Sequence, residues 1–352
     1  MKNYLRNFLI LALGLMTSFT FAQDWDVDSR TRVDMSEKNG ADYMETNQRA
    51  TIGATWGGSN WGIVVNSDFN YVLNGGDNDF SMRIHEAYAS MDIMGYANMS
   101  LGRRSLEYGS GSLMGSNDWN AVRNTTDGAV FNIANDMMGL DLGLTQSNAG
   151  IAGGDTTSTN NMFINASKAE GDWNVNLLYM KNNSNEGEDD TWMGVDLGYS
   201  MMGGQLALSA SYNTATVGGK DYDYNSLGAT YNVNDNMSVN AAMTSYGEEG
   251  WSGTGSGNMG NGIDGSSWTS NGNIGHLAAN DEMMSFGVDY DMGGISLSAA
   301  MHTITNDVTN ADERNVSEVA LGYSINDNAG VSLRYANDND DKYMWLTVTV
   351  TP

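Results

Sequence analysis

Arginine is scarce in this chain, and the few arginines follow a pattern that suits the binding of carboxylates. Lysine and arginine total 16 against 43 aspartates and glutamates, which gives a formal net charge of −27. The guanidinium group presents a fork of donors that matches a carboxylate, so arginines on one surface form a set of carboxylate sites. A general role in solubility is the alternative, and the pattern leaves both open. The arginines in question are Arg30, Arg32, Arg49, Arg83, Arg104 and Arg334.

A second concentration of polar chemistry lies in residues 101–127, which combine charge, aromatic rings and glycine between two alternating segments. We predict that residues 105–126 of this stretch form a loop. Its two aromatic side chains are expected to anchor the loop by packing, and its charged side chains are expected to line a narrow passage. The candidates are Arg104, Glu107, Tyr108, Asp118, Trp119 and Arg123.

Catalytic and cofactor motifs are absent from the sequence. The three histidines, His85, His276 and His302, fall in different segments, and neither Gly-x-Ser-x-Gly nor His-Glu-x-x-His occurs. There is no cysteine, which excludes disulfides and thiolate metal sites. Two Gly-x-Gly-x-x-Gly matches within residues 255–265 lie in a Gly/Ser/Asn-rich tract, which is typical of an exposed loop. We therefore predict that the protein is not an enzyme and holds no cofactor or metal.

The elements that must position these residues are β-strands, because the hydropathy pattern has a period of two almost throughout. Trp25 and Val27, for example, alternate with Asp26 and Asp28, so that charge lies on one face and apolar side chains on the other. About eighteen such segments occur, with sixteen as the alternative. They are residues 25–35, 50–56, 61–73, 80–91, 96–104, 127–134, 138–147, 161–168, 173–181, 191–201, 205–215, 223–233, 237–246, 282–290, 295–303, 314–325, 331–336 and 342–351.

The connections between these strands alternate in length. Short turns such as 57–60, 92–95 and 291–294 are interleaved with longer connections. Short turns on one side, long loops on the other and an even number of strands are typical of an antiparallel transmembrane β-barrel of the outer membrane. We predict long extracellular loops at residues 105–126, 148–160, 182–190, 247–281 and 304–313.

The N-terminal residues have the order of a secretory signal peptide. A basic start at Lys2 and Arg6 precedes an apolar run, and Thr20, Phe21 and Ala22 form a plausible cleavage site. We expect residues 1–22 to be the signal peptide and residues 23–352 to be the barrel. No later segment reaches the roughly 18 to 20 apolar residues of a membrane helix.

A charge on the lipid-facing side of such a barrel costs about 2–4 kcal/mol near the midplane. In each strand, the alternate residues that carry the charges must therefore face the lumen. The charged residues of strand 80–91 do not all occupy the same set of alternate positions, since a regular strand would place Arg83 and Glu86 on opposite faces. We therefore predict a β-bulge there. The lumen-lining candidates are Asp26, Asp28, Arg30, Arg32, Asp34, Arg49, Asp68, Arg83 and Arg334.

The segment 101–127 resembles a motif of outer-membrane porins of the alginate export family, especially those of Bacteroidetes. The matching residues are Leu101, Gly102, Arg103, Tyr108, Gly109, Leu113, Gly115, Asp118, Trp119, Arg123 and Asp127. The motif covers under a tenth of the chain. The resemblance implies an eighteen-stranded barrel, an inward-folded loop 105–126 and passage of anionic sugars.

The expected function is passive diffusion of small hydrophilic solutes or ions through a water-filled barrel in the outer-membrane lipid bilayer. Total acidity predicts a cation preference and argues against a nucleic-acid partner, whereas arginines in the lumen predict a preference for anions such as uronates. Two alternatives stay open, a structural or adhesive surface protein that displays loop 247–281 and a secreted β-protein. The sequence leaves the choice between a monomer and a homo-oligomer open.

Overall fold

The computed structural model describes most of the chain. The described residues are 22–38, 41–42, 44–73, 80–116, 118, 123–133, 135–152, 155–183, 189–251, 274, 277–309 and 312–351. The predicted signal peptide lies outside this part of the chain except for its last residue. No helix in the described part has the length and apolar character that a membrane crossing requires.

The described residues contain twenty strands in one sheet, and two of these strands are only two residues long. The strands are β1 Ala22–Asp34, β2 Glu37–Lys38, β3 Ala41–Asp42, β4 Glu45–Gly57, β5 Trp61–Val72, β6 Phe80–Ile93, β7 Ala97–Arg104, β8 Thr126–Ile133, β9 Gly139–Ala152, β10 Asp155–Glu170, β11 Trp173–Asn183, β12 Asp190–Met201, β13 Leu206–Val217, β14 Lys220–Asn234, β15 Met237–Tyr246, β16 Glu282–Asp291, β17 Ile295–Thr305, β18 Arg314–Asn326, β19 Ala329–Asp338 and β20 Asp341–Val350.

The sheet closes on itself. Each long strand pairs antiparallel with the next one along the chain, and β1 pairs with β20 from Ser29 opposite Val350 to Asp34 opposite Trp345. The short strands β2 and β3 form a small hairpin at the end of β1, joined to β20 where Glu37 lies opposite Lys342. Closure gives every long strand two neighbours, so its backbone N–H and C=O groups are hydrogen-bonded within the sheet. Lipid offers no partners for these groups. The predicted barrel of eighteen strands is confirmed.

Burial follows the alternation in the sequence. Side chains on the outer face are large, apolar and exposed, such as Leu101, Leu144 and Phe286 at 54%, 59% and 59%. Side chains on the inner face are polar and buried, such as Thr51 and Asn213. The lipid-facing and lumen-facing surfaces are therefore set by residue parity.

Strand β6 contains the predicted bulge. Glu86 lies opposite Asn66 and Ile84 lies opposite Ser67, so His85 is the extra residue. The bulge returns Arg83 to the inner face, where it lies opposite Asp68. Arg83 and Glu86 therefore share the lumen side although their positions in the sequence have opposite parity.

The predicted loop 148–160 is wrong in part. Strand β9 continues to Ala152 and β10 begins at Asp155, so most of this segment is a paired ribbon with one irregularity between Thr157 and Thr159. The segment consists mostly of small and polar residues without an alternation of large apolar ones, so period-two hydropathy gives no signal there. Two connections on the long-loop side are also tight turns, at residues 218–219 and 339–340.

Candidate functional site

The connection between β7 and β8 is here called the inner loop (residues 105–125), and its described part reaches into the barrel. Its Asp118 contacts Arg30 and Arg49 on β1 and β4. On the opposite side of the lumen, Leu113 packs against the backbone of Gly194 on β12. A Cβ added to this glycine would lie only 2.5 Å from Leu113 Cδ1. Because β4 and β12 are separated by about half of the barrel's circumference, the inner loop reaches across the lumen.

Apolar and aromatic packing holds one half of the inner loop. Leu113 and Met114 are 2% and 1% exposed within the main hydrophobic cluster of the barrel interior. The ring of Tyr108 packs against Phe163, with ring centroids 5.5 Å apart, and its hydroxyl donates to Asp141 at 2.9 Å. Burial and the neighbouring Asp141 carboxylate raise the pKa of Tyr108 well above its ordinary value, so the hydroxyl stays a donor.

An ion pair holds the other half. Arg123 donates to both carboxylate oxygens of Asp68 on β5, at 3.1 Å and 2.5 Å, and the Thr51 hydroxyl donates to the same carboxylate at 2.9 Å. Burial alone lowers the pKa of Arg123, but the hydrogen bonds and charge of Asp68 raise it above its ordinary value. Arg123 is therefore a permanent cation in the lumen.

Asp118 lies where three guanidinium groups meet. Its backbone carbonyl accepts from Arg30 Nη1 at 2.9 Å and from Arg49 Nη1 at 3.0 Å. Its carboxylate lies 3.2 Å from Arg49 Nη2 and 3.4 Å from Arg123 Nη1. Burial raises the pKa of Asp118, but Arg49, Arg123 and Arg30 together lower it below the ordinary value. The side chain is nevertheless 65% exposed, so the carboxylate stands in the open lumen.

The wall arginines form a continuous group with Arg123, which we call the arginine cluster (Arg30, Arg32, Arg49 and Arg123). Arg30 and Arg49 are register partners on β1 and β4, and Arg32 is the next inward residue of β1. Arg334 on β19 lies within electrostatic reach of Arg32 and pairs with Glu318 of β18. Positive charge therefore runs along one wall of the barrel.

The remaining predicted residues take several positions. Asp28 and Asp26 lie opposite Thr51 and Gly53, on the same inward face as the arginine cluster. Asp34 is buried and accepts hydrogen bonds from the backbone NH and hydroxyl of Ser36.

At the end of β7, Arg104 donates to Ser100 Oγ at 2.7 Å and lies over the ring of Tyr88. Glu107 accepts from the backbone NH and the hydroxyl of Ser116, which closes a turn within the inner loop. Trp119 lies outside the described residues.

Several lumen residues were missed by the sequence reasoning. Glu86 accepts from the backbone NH of Ser105 and fixes the start of the inner loop. Glu318 is shared between Arg334 and His302, and His302 also contacts Ser285 Oγ at 2.7 Å. The alternation in the sequence could have indicated that these residues face the lumen. Their partners lie on other strands, and one segment of sequence does not show which strands are paired.

The loop between β15 and β16 also turns into the barrel at both of its described ends. Trp251, Ile274 and Leu277 are 8%, 1% and 3% exposed and belong to the interior cluster. Trp251 Nε1 donates to the backbone carbonyl of Ser112 at 3.4 Å, which joins this loop to the inner loop.

A family model described as Gram-negative porin matches residues 11–343. The chain belongs to the Gram-negative porin family. The family match makes the protein an outer-membrane porin for small solutes and not an enzyme. No curated protein sequence matches this porin. The narrower resemblance to the alginate export family stays a prediction.

Solved structures share the fold of this porin at low sequence identity. OccK8 (OprE) of Pseudomonas aeruginosa has a TM-score of 0.72 and 14% identity, with 94% of this chain and 98% of that chain covered. OpdK of Pseudomonas aeruginosa, solved with vanillate, has a TM-score of 0.72 and 13% identity over the same shares. OccK2 (OpdF), solved in complex with glucuronate, has a TM-score of 0.70 and 14% identity, with 94% and 97% covered.

Proposed function

We propose that this porin admits small organic carboxylates, sugar acids among them, in preference to neutral and cationic solutes. The observation that carries the proposal is the convergence of Arg30, Arg49 and Arg123 on Asp118, whose carboxylate stands in the open lumen and contacts Arg49 and Arg123. A guanidinium group is always charged and pairs with a carboxylate through two donors, which makes this group a suitable carboxylate site.

The position of the arginine cluster inside the barrel supports an anion preference despite the net charge of −27. Arg49 and Arg123 of the arginine cluster form ion pairs with Asp118 and Asp68 inside the barrel. The acidic run near residue 340 lies at a turn at the outer end of the barrel. Charges in such loops are screened beyond about 8 Å at physiological salt, so the lumen residues set selectivity.

The mechanism requires no chemical step. A solute enters from the long-loop side, and its carboxylate exchanges part of its hydration shell for guanidinium donors of the arginine cluster. Because several arginines lie along one wall, the carboxylate passes from one to the next without full rehydration. The inner loop narrows the lumen, so the solute meets these donors at close range.

Two of the similar structures are consistent with this solute class. The solved complexes contain vanillate and glucuronate, and both molecules have a carboxylate. The resemblance of residues 101–127 to the alginate export family points to the same chemistry, because alginate is built from uronates. We therefore place uronates among the solutes to be tested first.

Planar-bilayer and liposome measurements test the proposal. We expect an anion-selective zero-current potential and faster entry of glucuronate than of glucose. The double variant Arg30→Gln, Arg49→Gln is expected to lose both properties. Lys168→Gln removes the same kind of charge from a residue that pairs with Glu170 near a short turn, and it is expected to behave as the wild type. A cation-selective channel that admits glucose and glucuronate equally would refute the proposal.

The surface-display alternative finds less support. It requires the segment 247–281 to project away from the barrel, whereas its described residues Trp251, Ile274 and Leu277 are buried in the interior cluster. A channel that conducts poorly and an isolated loop that binds a surface ligand would be needed to revive it.

A further inference from the structure

The contacts of Asp118 are those that a solute carboxylate would make at the same place. Arg49 approaches both its backbone carbonyl and its carboxylate, Arg30 approaches its carbonyl, and Arg123 approaches its carboxylate. These are charge-assisted hydrogen bonds to planar oxygen groups, which is how guanidinium groups bind any carboxylate.

The arginines in contact with Asp118 differ in how firmly they are held. Arg123 is committed to Asp68 through two hydrogen bonds, and both side chains are almost fully buried, at 12% and 4% exposed. The contact of Arg49 with the Asp118 carboxylate is longer than the shortest one of Arg123 with Asp68, and it joins a buried guanidinium, 6% exposed, to a carboxylate that is 65% exposed. An ion pair with one solvated partner is held less firmly than one buried on both sides, so the Asp118 contact is the one that an incoming anion can displace.

We propose that Asp118 is a specificity-determining residue, a tethered carboxylate that competes with the solute for the guanidinium donors of Arg49 and Arg123. This inference rests on the proposed function. A tethered group acts at an effective concentration in the millimolar range, so it occupies the arginines whenever the free solute is more dilute. Conduction requires binding that is strong enough for entry and weak enough for release. Competition from Asp118 lowers the affinity of the arginine cluster into that range.

The competition predicts a gain of affinity when the carboxylate is removed. If Asp118 occupies the arginines about nine tenths of the time, the apparent affinity for a free carboxylate is reduced about tenfold. Asp118→Asn keeps the backbone carbonyl, which accepts hydrogen bonds from Arg30 and Arg49, and removes only the competing charge.

The test is the block of single-channel potassium chloride current by added glucuronate in planar bilayers. For Asp118→Asn we expect a half-blocking concentration about tenfold below that of the wild type, longer blocking events and a zero-current potential shifted towards anion selectivity. The competing explanation is that Asp118 only holds the inner loop in place. Glu107→Gln serves as its control, because within the described residues Glu107 accepts hydrogen bonds from Ser116 of the same loop and from no arginine.

The outcomes separate this inference from the proposed function. Unchanged or weaker block in Asp118→Asn, with clear block in the wild type, would overturn the role of Asp118 alone. The same gain of affinity in Glu107→Gln would also overturn it, since loosening the loop would then be sufficient. Glucuronate that blocks neither the wild type nor Asp118→Asn, in a cation-selective channel, would overturn the proposed function itself.

Discussion

Arg123 of the inner loop and Asp68 of strand β5 form a two-point ion pair inside the barrel. Nη2 of Arg123 lies 2.5 Å from Oδ1 of Asp68, and Nε lies 3.1 Å from Oδ2. A pair with the same two-point geometry, Arg103 with Asp127, joins β7 and β8 next to the point where these strands meet the inner loop. Its side chains are 41% and 50% exposed, against 12% and 4% for the inner pair. The chain therefore contains its own control for the effect of burial on an ion pair.

Arg123→Gln is expected to detach the inner loop while the barrel stays folded. Removing one partner of a buried ion pair typically costs about 3–5 kcal/mol, because the other charge stays buried without compensation. The inner loop is the element that can yield, so the variant should be cleaved within this loop by chymotrypsin faster than the wild type. Arg103→Gln breaks the exposed pair, for which about 1 kcal/mol or less is expected, and its loop should resist cleavage as the wild type does. Equal cleavage of the two variants would show that burial is not what makes the inner pair important.

The barrel could be predicted from the sequence because the hydropathy pattern that specifies it lies within each strand. Each membrane-crossing strand has to present apolar residues to lipid at every second position, and that pattern is visible one segment at a time. The prediction failed where this constraint ends. Residues 148–160 are mostly small and polar and show no alternation of large apolar residues, although β9 and β10 pair through much of this stretch.

The functional site could be predicted only as a set of residue types. Arg30, Arg49 and Asp118 were each expected to line the lumen, but their meeting depends on a loop that crosses the barrel. Tyr108 was expected to be a packing anchor, and its partner Asp141 lies on a strand 33 residues away. Such contacts depend on strand register and loop conformation, which no single segment encodes.

Gly102→Ala is expected to destabilise the barrel next to the start of the inner loop. Gly102 has a φ of 136°, and a Cβ there would lie 2.2 Å from the carbonyl oxygen of Ala87 on the paired strand. The clash is with backbone, so relief requires strand movement, and strain of this kind costs about 1–3 kcal/mol or more.

Heat-modifiable migration on gels measures this loss. The variant should convert to its unfolded form at a lower temperature than the wild type. Gly171→Ala is the matched control, because Gly171 has a φ of 59° at a short turn with no atom within 4 Å of the added Cβ. It should lose about 1 kcal/mol at most. A conversion temperature of Gly102→Ala equal to that of Gly171→Ala would contradict the clash.

The ion selectivity should depend on pH in a way that reports the charge of Asp118. Its pKa lies below the ordinary value because the neighbouring arginines outweigh the effect of burial, so the group stays ionised as the pH falls through the ordinary range near 3.8. Its contribution to holding the loop is therefore complete at neutral pH and is lost only as the pH falls through the lowered pKa.

The ratio of chloride to potassium permeability, measured from pH 7 downward, checks this expectation. We expect a step towards anion selectivity below pH 3.8 that is present in the wild type and absent in Asp118→Asn. Other lumen carboxylates titrate in both proteins, so the difference between the two curves isolates Asp118. A difference that disappears already above pH 4 would mean that the arginines do not lower the pKa of this group.

Trp251→Ala is expected to widen the passage, because Trp251 links the two loops that enter the barrel. Its ring is 8% exposed, lies 5.7 Å from the ring of Tyr224, and donates to the backbone carbonyl of Ser112. Truncation of a buried tryptophan typically costs about 3–5 kcal/mol, and here the loss falls on the contact between the loops. Single-channel conductance in the presence of polyethylene glycols of graded size should show that larger polymers enter the variant. Trp25→Ala removes a lipid-facing ring that is 51% exposed and should leave the size limit unchanged. If the size limit of Trp251→Ala equals that of Trp25→Ala, the contact between Trp251 and Ser112 does not restrict the lumen.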